Sequence, residues 1–330
     1  MHMEEDTRAP VSIAPMMEWT DRDYRYFMRR ITRHTVLYTE MVTARAILFG
    51  DPDHLLRFHK DEHPLVLQLG GDEPEELARA IEIAEQYGYD GYNLNVGCPS
   101  ERVQSGNFGA CLMADPNKVA ELTVAMRGAT DKPVSIKHRI GIEWHATYEG
   151  MRAFVDSVAA TEVSHFIVHA RVAILGGLNP KQNRSVPPIR YDEVYRLKQE
   201  RPDLHVEING QIRTPEDMAS HLSHVDGVMI GRGAYENPWM MSTVDQRFFG
   251  APAPPCASRH EVVERMVPYI EELEAQGVSP RRVFTHMLGL FAGVPGARRW
   301  RQGLSGRLPA MPAVDILRRA AAHVPEEVLK

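Results

Sequence analysis

Two cysteines share one loop in a chain that has only three. In NLNVGCPSERVQSGNFGACL, residues 93–112, Cys98 follows an apolar run and stands between a glycine and a proline, whereas Cys111 stands between alanine and leucine. An ordinary thiol has a pKa of about 8.5, so a thiol displayed on a stiff turn is protonated at neutral pH and can act as a general acid. Burial as a small hydrophobic side chain is the commoner fate of a free cysteine, and we expect it for Cys111.

Other polar side chains also stand at the ends of apolar runs. Lys137 lies inside the run VSIKH, where a lysine is not buried without a partner. It could be a cation beside the electron-rich edge of a reduced flavin, a Schiff-base lysine, or a lysine whose amino group reaches solvent. Gln68 and His169 could contact a flavin ring or be satisfied by hydrogen bonds within the protein. The polar residues in such positions are Gln68, Asn95, Lys137, Arg139, His169, Arg171, Asn209 and Arg232.

Two glycine-containing turns, Asn209-Gly210 and Gly231-Arg232-Gly233, follow the last two apolar runs. Glycines let backbone N–H groups approach phosphate oxygens closely, although a simple tight turn is an equally open interpretation. The chain has neither GxGxxG nor GxxxxGK[ST], which argues against a Rossmann or P-loop nucleotide site. The predicted ligand is therefore a phosphorylated small molecule such as FMN.

Eight short apolar runs separated by helical stretches must position these groups; the runs cover 11–15, 37–41, 65–70, 92–96, 134–138, 166–170, 205–210 and 227–231. Nearly continuous apolar runs are typical of parallel strands covered on both faces. Asp115, followed by Pro116, and Thr214, also followed by proline, are helix-start signals. The alternation predicts an α/β fold, a (β/α)8 TIM barrel with functional groups at the C-terminal strand ends. A doubly wound sheet is the alternative.

The alternation stops after Tyr235, and the Pro- and Ala-rich stretch 248–261 precedes purely helical patterns. We predict a barrel domain over residues 1–245 and a small helical domain over 246–330. From residue 281 onward nine Arg or Lys stand against three acids, a net charge of +6, whereas residues 1–280 carry −12. Such asymmetry indicates contact with nucleic acid, although a solvated basic helical face is equally open.

The composition, 43% hydrophobic and 25% charged, is that of an ordinary globular protein. No apolar run reaches the roughly 18 residues of a membrane span, and the first residues do not look like a signal peptide. We therefore expect a cytoplasmic protein without a membrane partner. Three cysteines without a CxxC pair argue against a disulfide framework and a zinc site, so no metal is expected. We further expect a monomer.

Several of these motifs together resemble the tRNA-dihydrouridine synthase family: LNVGCPSERVQSGNFGACLM, APMMEWTDRDYR, VLQLGG, SIKHRIG, IVHAR and GVMIGRGAYENPW. The resemblance covers residues 11 to about 245 closely and the helical tail in kind. LNPKQNRSVPPIRY, residues 178–191, resembles the A-type subgroup, which reduces uridines in the D-loop of tRNA. The chain departs from the family pattern at Gln211, where a glycine is frequent, and at Val172 and Ile174, where Lys and Trp are frequent.

The resemblance implies an FMN enzyme, reduced by NADPH, that acts on a flipped-out tRNA uridine at positions 20/20a. Hydride would pass from FMN to uracil C6, and Cys98 would donate the proton to C5. The residues that would contact FMN are Pro15, Met16, Gln68, Lys137, His169, Asn209, Gly210, Gly231 and Arg232. The residues that would contact the uridine and neighbouring phosphates are Asn95, Arg139, Arg171, Asn183 and Arg184. Extracting a stacked base requires a grip on the surrounding RNA, which suits the basic tail.

Three other functions remain open at the level of sequence. A flavin oxidoreductase acting on a free pyrimidine would need no basic tail. A lyase could form a Schiff base through Lys137. The chain could also bind and chaperone tRNA, with catalysis incidental.

Overall fold

A closed sheet of parallel strands forms the centre of the molecule. The computed structural model describes residues 7–144, 146–306 and 309–326. Its strands are β1 (Val11–Ile13), β2 (Val36–Tyr38), β3 (Val42–Thr43), β4 (Leu65–Gly70), β5 (Gly91–Val96), β6 (Val134–Arg139), β7 (His165–His169), β8 (His205–Asn209) and β9 (Gly227–Ile230). All neighbouring strands pair in parallel, and the pairing of β2 with β4 closes a ring of eight strands that leaves out only β3. The predicted (β/α)8 TIM barrel is confirmed.

Helices surround the barrel and continue after its last strand. They are α1 (Arg22–Arg29), α2 (Ala44–Phe49), α3 (Pro52–Leu56), α4 (Pro74–Ala84), α5 (Glu101–Gln104), α6 (Pro116–Gly128), α7 (Tyr148–Ala159), α8 (Tyr191–Glu200), α9 (Pro215–Leu222), α10 (Arg232–Glu236), α11 (Val244–Phe249), α12 (Arg259–Ala275), α13 (Arg281–Met287), α14 (Ala297–Leu304) and α15 (Ala313–Ala321). The two sequence signals for helix starts are confirmed: Asp115 accepts a hydrogen bond from the Lys118 amide at 3.1 Å, and Thr214 from the Asp217 amide at 3.0 Å.

The two faces of each strand serve different purposes. Alternate side chains of a strand point to opposite faces of the sheet, and those that face the helices join one large apolar core. A small apolar cluster fills the inside of the barrel, formed by Ala9, Ala14, Val36, Tyr38, Val66, Ile167 and Met229. Buried polar side chains share this interior, among them Ser12, Gln68, Asn93, Ser135 and Glu207. The polar interior leads upward to the strand ends, where the candidate site lies.

The observed strands differ from the sequence prediction mainly at the first two runs. Strand β1 ends at Ile13 and not at residue 15, because Pro15 has no N–H to continue the ladder. The second run, predicted over 37–41, forms β2 over Val36–Tyr38, and the two-residue β3 follows it and pairs with β4.

The helices after β9 pack against the barrel through specific contacts. The Asp245 carboxylate accepts hydrogen bonds from the Thr32 hydroxyl and the Arg33 amide, both at 2.6 Å. The Tyr269 ring of α12 stacks on Tyr26 with ring centroids 4.0 Å apart. After Ile230 the described residues form only helices, turns and loops, so the helical C-terminal portion is confirmed, whereas a domain boundary at residue 245 stays a prediction.

Parts of the predicted basic tail, Arg307, Glu327 and Lys330, lie outside the described residues. Within those residues, no helix combines the length and the apolar character needed to cross a membrane.

Candidate active site

A cavity of about 1310 Å³ opens at the C-terminal ends of the barrel strands and extends to the loop before α13. Thirteen of the fifteen predicted site residues line it: Pro15, Met16, Gln68, Asn95, Cys98, Lys137, Arg139, His169, Arg184, Asn209, Gly210, Gly231 and Arg232. Barrel closure therefore brings together residues that lie far apart in the chain. Arg171 and Asn183 do not line the cavity wall.

The side chain of Asn95, at the end of β5, organises the loop that carries Cys98. Its Oδ1 atom accepts hydrogen bonds from the backbone amides of Gly97 at 3.1 Å and Cys98 at 3.0 Å. Its Nδ2 atom donates to Oε1 of Gln68 at 2.9 Å. A chain of carboxamides continues inside the barrel, because Gln68 Nε2 donates to Asn93 Oδ1 at 2.7 Å. The loop and the barrel interior are thus held in one relative orientation.

Cys98 is half-buried on the cavity wall. Its Sγ atom donates to Oγ of Ser100 at 3.6 Å, and its carbonyl oxygen accepts from the Ala110 amide at 2.9 Å. The backbone of Gly109 packs against the Cys98 carbonyl in a left-handed conformation, with φ +74°. A Cβ atom at Gly109 would lie 2.7 Å from that carbonyl oxygen. The turn predicted around Cys98 therefore exists, and a required glycine supports it.

Lys137 places an amino group beside β8. Nζ of Lys137 donates to Oδ1 of Asn209 at 3.2 Å, and Asn209 in turn donates to the Met229 carbonyl at 2.8 Å. Burial lowers the pKa of Lys137 from 10.5 to about 8, and Arg139 contributes to the decrease. Burial, Arg139 and Lys137 also hold the pKa of His169 well below its usual value, so His169 presents a neutral imidazole.

The buried guanidinium of Arg139 joins two loops of the site. Nε of Arg139 donates to the Gly97 carbonyl at 2.8 Å, beside Cys98, and Nη1 donates to the carbonyls of Val172 at 3.0 Å and Asn183 at 3.1 Å. Burial lowers the pKa of Arg139 to about 10. At neutral pH it is still a cation.

Positive charge collects here, and no carboxylate lies in direct ion-pair contact with it among the described residues. Within residues 7–144, 146–306 and 309–326, no ion pair with an acid is formed by Lys137, Arg139, Arg171, Arg184 or Arg232. The Nε atoms of Arg171 and Arg184 are buried and have no hydrogen-bond partner. Buried guanidinium groups without acids are costly unless an anion is supplied from outside. The arrangement therefore fits a phosphorylated ligand.

The turn after β8 has the backbone of a close-approach site. Gly210 adopts φ +131°, and a Cβ atom there would lie 3.1 Å from Cδ2 of His169. Its carbonyl accepts a hydrogen bond from the Tyr191 hydroxyl at 2.7 Å. Gln211, one of the departures from the family pattern, adopts φ +55° and lines the cavity. Glycine adopts a left-handed backbone without strain, which explains why it is frequent at this position. In this chain the Gln211 side chain lies on the cavity wall at the same place.

The two predicted substrate residues Asn183 and Arg171 lie outside the cavity wall, and their contact with substrate stays a prediction. Asn183 is fully buried. Its Oδ1 atom accepts a hydrogen bond from the Ile174 amide at 2.8 Å, and its Nδ2 atom donates to the carbonyls of Ile174 at 2.9 Å and Leu178 at 3.0 Å. It shapes the loop that carries Arg184. Arg171 is buried beside this loop, and its contact with substrate stays a prediction. Val172 and Ile174, the other departures, are buried and do not line the cavity.

Other cavity residues were missed in the sequence. Glu18, Asp21 and Glu40 line the side towards the helical portion, and Trp19 stacks on Tyr235 with centroids 4.3 Å apart. The charged run EWTDRD, residues 18–23, was the available signal for Glu18, Trp19 and Asp21. Ser100, two residues after the thiol, was also missed.

Among the described residues, no group of three or more His, Cys, Asp or Glu side chains is placed to hold a metal ion.

The fold and the site define a parallel β/α barrel with a thiol and unpaired cations at the mouth. Residues 12–315 match the protein family described as Dihydrouridine synthase (Dus). The chain belongs to the dihydrouridine synthase family.

Similar proteins cover nearly the whole chain. It is 53% identical over 296 residues to the tRNA-dihydrouridine(20/20a) synthase of Synechocystis sp., covering 90% of this chain and 88% of that protein. The protein of the same name from Pseudomonas aeruginosa is 50% identical over 307 residues, covering 91% and 92%. The one from Vibrio parahaemolyticus is 48% identical over 320 residues, covering 96% and 98%.

A solved structure is similar in fold alone. A 2-naphthoyl-CoA reductase in complex with 2-naphthoyl-CoA superposes with a TM-score of 0.54 at 11% identity. The match covers 74% of this chain, which spans about half the length of that reductase, 52%.

Proposed function

We propose that this chain reduces the C5–C6 double bond of D-loop uridines in tRNA, at positions 20/20a, with FMN as cofactor and NADPH as reductant. The observation that carries the proposal is the common cavity of the Cys98 thiol and the unpaired cations, in a member of the dihydrouridine synthase family. The substrate follows the names of the relatives.

The residues of the cavity fit FMN. The basic groups without acid partners suit its phosphate, and Gly210 leaves space that a Cβ atom would fill against His169. We assign the contacts with FMN to Pro15, Met16, Gln68, Lys137, His169, Asn209, Gly210, Gly231 and Arg232. When bound and reduced, FMN supplies hydride to uracil C6.

The chain's own residues then complete the addition. Cys98 donates the proton of Sγ to uracil C5, and its turn is held by Asn95. The Lys137 ammonium offers a cation to the flavin. Arg139, Arg184 and Arg171 attract the phosphates near the target uridine, and residues 246–330 form the domain that holds the rest of the tRNA.

The test is to reduce the protein anaerobically and to follow the visible flavin absorbance while unmodified tRNA or free uridine is added. We expect tRNA, and not free uridine, to reoxidise the flavin. Equal oxidation by free uridine would favour a free-pyrimidine reductase. Protein that is colourless after incubation with FMN and removal of the unbound FMN would overturn the proposal.

A further inference from the structure

Glu207 of β8 is a charged side chain inside the barrel that the proposed reaction does not use. It is 1% exposed. One carboxylate oxygen accepts a hydrogen bond from the Ser12 hydroxyl, and the other lies 3.1 Å from Nε2 of His165. In the part of the chain that the structure describes, no lysine or arginine forms an ion pair with Glu207, and His165 is the basic side chain in contact with it. A buried carboxylate without a lysine or arginine partner is costly, so its position calls for a reason.

The barrel register places Lys137 at the same level as Glu207. Lys137 of β6 pairs with Ile167 of β7, and Ile167 pairs with Glu207 of β8. Paired residues of parallel strands point to the same face, and two strand spacings of about 4.8 Å put the two Cα atoms about 10 Å apart. The lysine leans towards β8, because Nζ reaches Asn209 at 3.2 Å. Asn209 follows Glu207 by two residues and shares its face.

The charges around Lys137 oppose one another. Burial and Arg139 of the same strand lower the pKa of Lys137, whereas Glu207 and Cys98 raise it. His169 on β7 is neutral and adds no charge. On the other side of Glu207, His165 lies in hydrogen-bond contact, and burial lowers the pKa of the neighbouring His205 to about 4. Glu207 is therefore the carboxylate that offsets the desolvation of the lysine.

We propose that Glu207 is a positioning residue that keeps Lys137 an ammonium at neutral pH, through the barrel interior and without touching any reactant. Ser12 and His165 hold its carboxylate in place below the site. The usefulness of the cation to a flavin rests on the proposed function, whereas the coupling between the two side chains does not.

The test measures the pH dependence of Lys137 acetylation in the full-length chain, by mass spectrometry, with and without FMN. At about 10 Å and an effective dielectric constant of about 20, we expect Glu207→Gln to lower the pKa of Lys137 by about one unit. Glu207→Asp should restore it. Ser135→Ala, which removes an uncharged polar group from the same interior, should leave it unchanged. An unchanged pKa in Glu207→Gln would overturn the proposal.

A second measurement covers the case in which Glu207→Gln does not fold. In wild-type protein labelled with 13Cδ-glutamate, the Glu207 resonance should shift at the pH where Lys137 loses its proton, near 8. A resonance that does not move there overturns the coupling. Neither measurement involves tRNA or flavin reduction. Loss of uridine reduction with intact coupling would therefore count against the proposed function alone.

Discussion

The backbone amide of Cys98 lies 3.0 Å from Oδ1 of Asn95, and Nδ2 of the same asparagine lies 2.9 Å from Oε1 of Gln68. One carboxamide thus joins the proposed proton donor to a proposed FMN contact. Asn95 can accept and donate at once only because it is an amide. We therefore expect the orientation of the Cys98 turn to depend on the Asn95 side chain.

Asn95→Ala should slow tRNA reduction more than it weakens tRNA binding. Removal of the acceptor frees the amides of Gly97 and Cys98, and a small displacement of a catalytic group can cost about 100-fold. We expect kcat to fall about 10- to 100-fold with little change in KM, and the free energy of unfolding to fall by about 1–2 kcal/mol. Asn95→Asp keeps the acceptor and should recover part of kcat. Equal kcat values in all three proteins would contradict this role.

Cys98→Ala should separate the two half-reactions. Removal of a general acid typically costs about 10²- to 10⁴-fold, so reduction of tRNA should nearly stop. FMN content and NADPH oxidation in the absence of tRNA should remain normal, because neither needs a proton at uracil C5. Cys111→Ala serves as the matched control and should reduce tRNA normally. Full activity of Cys98→Ala would rule out the proton-donor role.

Iodoacetamide should distinguish the two loop cysteines. Cys98 lines the cavity, whereas Cys111 does not. The Sγ atom of Cys111 donates to the Phe108 carbonyl at 3.0 Å. Burial also raises the pKa of the Cys111 thiol, which lowers its reactivity further. Peptide mass spectrometry should find Cys98 alkylated in native protein and Cys111 only after unfolding. Equal labelling of both in native protein would be evidence against the different environments.

Lys137→Met should stabilise the flavin-free protein in a pH-dependent way. Below pH 8 the lysine is charged in both the folded and the unfolded chain, and its burial is costly. Between pH 8 and 10.5 only the unfolded chain keeps the proton, so the stability of the wild type rises with pH. In urea unfolding we expect an advantage of about 3 kcal/mol for Lys137→Met at pH 7, fading towards pH 10.5.

Lys60 is exposed, so Lys60→Met is the control. Its stability relative to the wild type should not change with pH in this way. Parallel stability curves for Lys137→Met and the wild type would mean that the lysine is not desolvated.

Two adjacent arginines of α15 test the basic tail. Arg318 is paired with Glu264, Nη2 to Oε2 at 2.7 Å, whereas Arg319 is exposed and has no ion-pair partner among the described residues. A free cation releases a counterion on binding a phosphate. Arg319→Gln should therefore reduce the slope of log affinity for tRNA against log salt by about one, and Arg318→Gln should reduce it less. A tRNA affinity indifferent to salt would remove the argument for the tail.

Local patterns in the chain were sufficient for the strands, the helix starts and the kinds of chemistry at the strand ends. Apolar runs and caps such as Asp115 act over a few residues, so the prediction placed all eight barrel strands within two or three residues of their observed bounds. Lys137 stood out because a charge inside an apolar run is rare. Glu207, in the run HVEING, carried the same signal and was not used.

Tertiary structure alone settled which of these groups meet. The sequence predicted only a contact with substrate for Asn183, yet its loop folds over it, and both its Oδ1 and Nδ2 atoms hydrogen-bond to the backbone. Lys137 and Glu207 are seventy residues apart, and only the register across β7 puts them at one level. Closure of a barrel is a non-local event: strand pairing decides which positions share a level, and no short stretch of sequence contains that information.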